Sequence, residues 1–145
     1  HSPPNTTEQV LHPGTASAPG EQVLVAAPHI TAATGWATPI TDTLGEAMIE
    51  IWLEGVGVPA ATAQGAAAGW GGDRLAVSSG GDGSFVLGWT LAWGSAADAD
   101  EFVAAYGTAR ESLTLNTRVE RLSSTEVLVV QASQPALLAR VAPGS

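Results

Sequence analysis

Between Ala66 and Trp93 the chain reads A-A-A-G-W-G-G-D-R-L-A-V-S-S-G-G-D-G-S-F-V-L-G-W-T-L-A-W, and the rest of the chain is built around this run. It joins the end of a small-residue helix to a glycine-tight turn carrying Asp73 and Arg74, and then to two strand-like segments. Those segments, Leu75 to Ser79 and Ser84 to Trp93, are linked by Gly80-Gly81-Asp82-Gly83. Asp-Gly is a strong short hairpin signal because both residues tolerate positive φ. The loop lacks the repeated Asp spacing and the closing Glu of an EF-hand, so it reads as a turn and not as a calcium site. Three of the five tryptophans (Trp70, Trp89, Trp93) fall in this stretch, which marks it as the start of a sheet with a well-filled side.

Upstream, Asp42 to Glu54 fits two periods. As a strand, Ala47, Ile49, Ile51 and Leu53 share a face; as a helix, Leu44, Ala47, Met48, Ile51 and Trp52 form the apolar stripe, with Glu46, Glu50 and Glu54 stacked beside it. The helix is the better fit, since its first turn is acidic, Asp42 or Thr43 can cap it and Gly55 can end it. Pro59 then opens a short alanine-rich helix, Ala60 to Ala68, which Gly69 stops and whose small side chains allow close approach to a sheet. Downstream, Ser95-Ala96-Ala97-Asp98 has the form of a capping box with Asp as the acid. Ala99, Phe102, Val103 and Tyr106 follow on one helical face, and Arg110 closes the last turn. Thr117 to Leu122 and Glu126 to Ala132 return to strand character, the second as the unbroken apolar run of an interior strand. Gln134 to Val141 reads as a final short helix.

These elements predict an α+β domain over residues 29–145: a mainly antiparallel four-stranded sheet with helices packed on one face. Residues 1–28, rich in Pro, Ser, Thr and Ala, read as an extended arm, within which Glu21 to Ala27 could form a strand. A hydrophobic content of 45% in 145 residues is enough for one packed core.

Composition narrows the chemistry. The formal charge is −9, and all five bases are arginines, so there is no basic footprint for nucleic acid or for an anionic membrane surface. No cysteine is present, which removes disulfides, thiolate metal sites and cysteine nucleophiles. No apolar run approaches the ~20 residues that span a bilayer. All three histidines (His1, His12, His29) lie near the N-terminus without metal-ligand spacing, and Asn5-Thr6-Thr7 matches a glycosylation sequon too short to carry weight. No zinc-protease, nucleophile-elbow, phosphate-loop or dinucleotide pattern occurs, so no catalytic residue, cofactor or metal is assigned. The chain starts at His1, which reads as a processed protein or a piece of a longer one.

Trp70-Gly71-Gly72-Asp73-Arg74 is the most distinctive constellation, and with Glu46 it supplies the candidate binding residues Trp70, Asp73, Arg74 and Glu46. Read structurally, the glycines turn the backbone, Trp70 covers the core edge, and Asp73 and Arg74 satisfy backbone groups or pair with Glu46 or Glu101. Read functionally, Trp and Arg are anchors of a binding surface.

T-T-E-Q-V-L-H-P, D-T-L-G-E, A-A-A-G-W-G-G-D-R-L and W-x-L-A-W-G-S-A-A-D-A-D-E-F follow one another in this chain. In that order they resemble the C-terminal half of a family of largely uncharacterised exported proteins of bacteria and haloarchaea. The family resemblance rests on Gly69 to Arg74, on Trp93, and on Asp98 to Phe102; Trp93-Gly94-Ser95 departs from it where relatives tend to carry a Trp-Asp pair. The upstream half of such proteins resembles zinc metallopeptidases. The resemblance implies an extracellular, non-catalytic accessory or binding domain, with the peptidase-like half or another protein as its partner. The alternatives are a hydrolase using carboxylates near Glu46 and Asp73, and a peptide- or carbohydrate-binding module using Trp36, Trp52 or Trp89.

Overall fold

The computed structural model describes residues 24–31, 33–111 and 113–144, so the readings of the arm before Leu24, of His1 and His12 and of the Asn5 sequon lie outside the described residues, while Leu24 to Ala27, expected as part of a strand, belong to none. In chain order the elements are β1 (His29–Ile30), β2 (Ile40–Asp42), α1 (Glu46–Gly55), α2 (Ala60–Ala67), β3 (Trp70–Ser79), β4 (Phe85–Trp93), α3 (Ala96–Arg110), β5 (Asn116–Arg121) and β6 (Glu126–Ala132). A 3-10 helix (Pro135–Arg140) and β7 (Val141–Ala142) complete the chain. A five-stranded sheet has the order β2-β3-β4-β6-β5, every pair antiparallel, and β1 pairs with β7 in a separate two-stranded ribbon.

Two features of the expected sheet are corrected here. It has five strands and not four, because Ile40–Asp42 adds an edge strand beside β3. That strand is three residues long and exposed throughout, so no alternation of apolar and polar residues announces it. The helices are also not confined to one face. α1, α2 and α3 cover one side, while the 3-10 helix and the β1–β7 ribbon close the other, where Ile30, Val141, Leu137 and Leu138 pack on Ala76, Val86, Leu128 and Val130.

The alternation of strand side chains assigns the two cores. In β4, Trp89, Leu91 and Trp93 point to the α-helices and Val86 to the ribbon; in β6, Val127 and Val129 face the helices and Leu128 and Val130 the ribbon. The helical side is an aromatic layer: Trp52 stands edge-on to Trp89 with centroids 5.2 Å apart and stacks on Tyr106 at 4.9 Å. Phe102 lies 5.0 Å from Trp93. α3 carries its expected cap, with Ser95 Oγ accepting from the Asp98 amide at 3.2 Å and donating to the Asp98 carboxylate at 2.7 Å.

The hairpin forms as expected at its turn but reaches further back. In the turn, the Ser84 amide donates to Asp82 Oδ1 at 3.0 Å, a bond that holds the Asp82 carboxyl below its ordinary range, and Gly83 takes φ +87°. β3 begins at Trp70, so Trp70-Gly71-Gly72-Asp73-Arg74 is strand and not a turn leading into one. The glycines act instead as an irregularity: Trp70 pairs with Trp93 and Gly72 with Ala92, which leaves Gly71 as an extra residue in the ladder.

Candidate functional site

The conspicuous feature of the interior is Asp73, 4% exposed at the centre of the helical side. An isolated carboxylate there is strongly disfavoured unless its oxygens are satisfied by donors. Four N–H groups do this. Oδ2 accepts from the Leu44 amide at 2.8 Å and the Trp89 indole at 2.9 Å; Oδ1 accepts from the Gly45 amide at 2.8 Å and the Trp70 indole at 3.1 Å. The Asp73 carbonyl also accepts from the Thr43 hydroxyl at 3.3 Å.

Each donor has a reason in the chain. Trp70 and Asp73 end on the same face of β3 because the extra residue Gly71 shifts the register between them. Trp89 is the partner of Leu75 in the hairpin and so lies diagonally across from Asp73, which pairs with Leu91. The Leu44 and Gly45 amides lead into α1, whose N-cap residue Gly45 has φ +86° and no side-chain cap. Neither Asp42 nor Thr43 caps this helix, as the sequence suggested they could. The carboxylate that serves its N-terminus comes from β3, 28 residues away from Gly45 in sequence. A negative charge at the positive end of a helix is favourable, more so in a dry setting. Asp73 thus ties α1, both strands of the hairpin and two tryptophans to one point.

Of the sequence candidates, Trp70 is 2% exposed, Asp73 4% and Glu46 1%, so three of the four are turned into the interior. Arg74 points to the other side of the sheet and is half-buried, donating to the Thr43 and Thr41 hydroxyls at 3.3 Å each. The structure therefore brings Trp70 and Asp73 together in a direct hydrogen bond and separates Arg74 from them. Sequence reasoning missed Trp89 and the Leu44–Gly45 amides as members of this cluster. Trp89 was accessible from the Asp82-Gly83 turn, because extending its register places Trp89 beside Asp73; the amides had no sequence signal.

Gly69 is the clearest positional requirement of the neighbourhood. It has φ +83°, and a Cβ there would lie 2.5 Å from the Asp98 carboxylate. Its carbonyl accepts from the Gly94 amide at 2.8 Å, which fixes the entry to β3 against the cap of α3.

On the surface, a cleft of about 280 Å³ is lined by Val58, Pro59, Thr62, Ala105 and Thr108, and a second, of about 200 Å³, lies beside Trp36. Arg140 sits 4.2 Å from the Trp36 ring centroid. Among the described residues no group of three or more His, Cys, Asp and Glu side chains could hold a metal ion, and no helix is long and apolar enough to cross a membrane.

The class these observations define is an α+β domain whose buried acid and tryptophans hold the fold from inside. Residues 34–142, three quarters of the chain, match the sequence model of a family described as a domain of unknown function (DUF8575), and the chain belongs to that family. No curated protein and no solved structure matches it.

Proposed function

We propose that this domain is a non-catalytic accessory or binding module of a larger exported protein, working beside an upstream half that resembles a zinc metallopeptidase. The observation that supports this reading is the engagement of Asp73 by four N–H donors beneath α1. A carboxylate that acts as general base or nucleophile needs an oxygen facing substrate or water, and both oxygens of Asp73 already accept two bonds each. The hydrolase alternative near Glu46 and Asp73 loses its central group in this way. The tryptophan-module alternative fares little better, since Trp89 is buried, Trp52 stands edge-on to Trp89 and stacks on Tyr106, and Arg140 covers Trp36. Exposed apolar side chains occur instead on the outer side of α1, at Met48 and Ile51, and on β2 at Ile40, a distribution that suits protein contact.

The test is a thermal melt and tryptophan-fluorescence titration of the domain with the upstream segment supplied as a separate chain. A partner that binds only the folded state raises the melting temperature by an amount that grows with the logarithm of its excess over Kd. A rise with the upstream segment supports the accessory role. An unchanged melt and spectrum at saturating segment removes the peptidase-like half as partner.

A further inference from the structure

β5 closes the sheet, and its outer edge is open. The Leu122 amide donates to the Glu126 carbonyl, and the pairs Glu120–Leu128, Arg118–Val130 and Asn116–Ala132 continue that register. In an antiparallel ladder the residues between such pairs direct their backbone groups the other way. Thr117, Val119 and Arg121 therefore present N–H and C=O groups outward, with no strand beside them among the described residues. The opposite edge, β2, is half as long and follows Pro39, so it offers a poorer template.

A groove runs along the open edge. Its walls are α3 and β5, and Val103, Gly107, Arg110, Glu111, Val119 and Arg121 enclose about 280 Å³. Val103 and Val119 give it an apolar floor and Gly107 leaves room above them. Two of the five arginines of this −9 chain, Arg110 and Arg121, line the groove, while Arg118 on the same strand as Arg121 faces the ribbon side. Arg118 is held by the Leu138 and Val141 carbonyls, and Arg121 by Asp100 and the Ser123 and Ser124 carbonyls. Arg110 is exposed at the end of α3, and its guanidinium meets no acceptor among the described residues.

We propose that the β5 edge and the α3 groove are a docking site for an extended peptide segment of a partner protein. The segment adds as a sixth strand, lays apolar side chains on Val103 and Val119, and directs a carboxylate to Arg110. Strand addition supplies affinity through the main chain, while the groove selects alternate side chains. Glu111 in the same groove disfavours a uniformly acidic segment, so the fitting pattern is apolar–acidic–apolar on the inward-facing positions. The inference rests on the reading of the domain as a binding module and names its site.

The probe is a fluorescein-labelled peptide Thr-Val-Thr-Glu-Thr-Val-Thr, compared with its Glu-to-Lys counterpart and with a copy N-methylated at alternate amides. Anisotropy should show saturable binding of the first. The Lys peptide should bind about tenfold more weakly or worse, as should the first peptide to R110E, since one charge-assisted contact is worth that factor. The N-methylated copy should not bind. Val119→Pro removes an outward amide that takes no part in the β5–β6 ladder, and an edge strand tolerates it, so binding should be lost while circular dichroism stays unchanged. If Val119→Pro does not fold, the N-methylated peptide alone tests strand addition. Equal binding of acidic, basic and N-methylated peptides, or of none, overturns the proposal. A wild-type dimer in sedimentation that Val119→Pro makes monomeric assigns the edge to a second copy, and overturns it too. A melting rise with the upstream segment that survives both substitutions leaves the accessory role standing and dismisses this edge as its site.

Discussion

On the helical side of the sheet, Trp52, Trp89, Trp93, Phe102 and Tyr106 fill a continuous aromatic layer beside the Asp73 carboxylate. On the ribbon side, Ala76, Val86, Leu128, Val130 and Ala132 make a thin aliphatic core, closed by arginines that reach backbone carbonyls. The first side holds elements far apart in sequence through burial of large rings, with Asp73 fixing their orientation. The second holds a short terminal segment in place: Arg118 donates to Leu138 O at 3.0 Å and to Val141 O at 2.7 Å, and Arg140 reaches Thr31 O. A wide aromatic layer tolerates small adjustments but leaves indole N–H groups to satisfy, and one carboxylate does so for two of them together with two main-chain amides. A thin aliphatic layer has few such groups, and its cover is attached at its margins. The difference teaches that the same sheet can be a rigid scaffold on one side and a docking plate for a small cap on the other.

The comparison breaks most visibly at Asp73. Asp73→Asn keeps the shape but turns one acceptor into a donor facing N–H groups, and should lower unfolding free energy by about 3–5 kcal/mol, as for a broken buried charge network. Urea denaturation followed by tryptophan fluorescence measures it; a loss under about 1 kcal/mol would mean that the carboxylate is replaceable by packing alone. A smaller effect belongs to Gly88, over which the cap lies. A Cβ there would meet Val141 Cγ1 at 2.7 Å and Pro28 Cβ at 2.9 Å. Gly88→Ala should destabilise by about 1–3 kcal/mol through overpacking, with faster amide exchange at Ile30 and Val141 than in the aromatic layer. Uniform exchange across both sides would mean that the cap is not a separable unit. Arg118→Met keeps the apolar stem and removes the two carbonyl contacts, for an expected loss of about 1–2 kcal/mol.

The smallest effect is at the hairpin turn. The Asp82 carboxyl is held below its ordinary range first by the Ser84 amide and then by the Ser84 hydroxyl. A depressed carboxyl stabilises the fold above its unfolded pKa and loses that contribution as pH falls through the folded value. Solvent around this exposed side chain keeps the effect slight. Carboxyl titration by NMR should place Asp82 below a model aspartate, and Ser84→Ala should narrow the gap without abolishing it. An Asp82 titration matching the model aspartate would remove that hydrogen bond from the turn.

Much of the scaffold was legible along the chain. The Ser95–Asp98 cap, the apolar stripe of α3, the Asp82-Gly83 turn and the unbroken run of β6 are local signals, and each appears where the residues placed it. The helix preferred for Asp42 to Glu54 forms over Glu46–Gly55, but its expected stripe is corrected: Met48 and Ile51 face outward, while Ile49, Leu53 and Glu46 are buried, because the contacts with the sheet and not the apolar spacing set the helix's rotation. The candidate cluster was half legible. Trp70 and Asp73 stood out because a buried indole and an acid near a glycine pair are unusual, whereas Leu44 and Gly45 contribute only main-chain N–H groups, which every residue has. Ile40–Asp42 and the ribbon strands were illegible because two or three residues cannot display a period of two.

By itself, then, the sequence determined which segments become helices and long strands, since those depend on spacing, caps and turn residues within a dozen neighbours. The tertiary structure alone decided that β3 starts at Trp70, that β2 and the ribbon exist, and that the last turn of helix crosses to the other face. It also decided that Asp73 faces inward to four donors drawn from three separate parts of the chain. The physical reason is that a short strand or a buried carboxylate is stable only through partners, and the partners are brought together by packing.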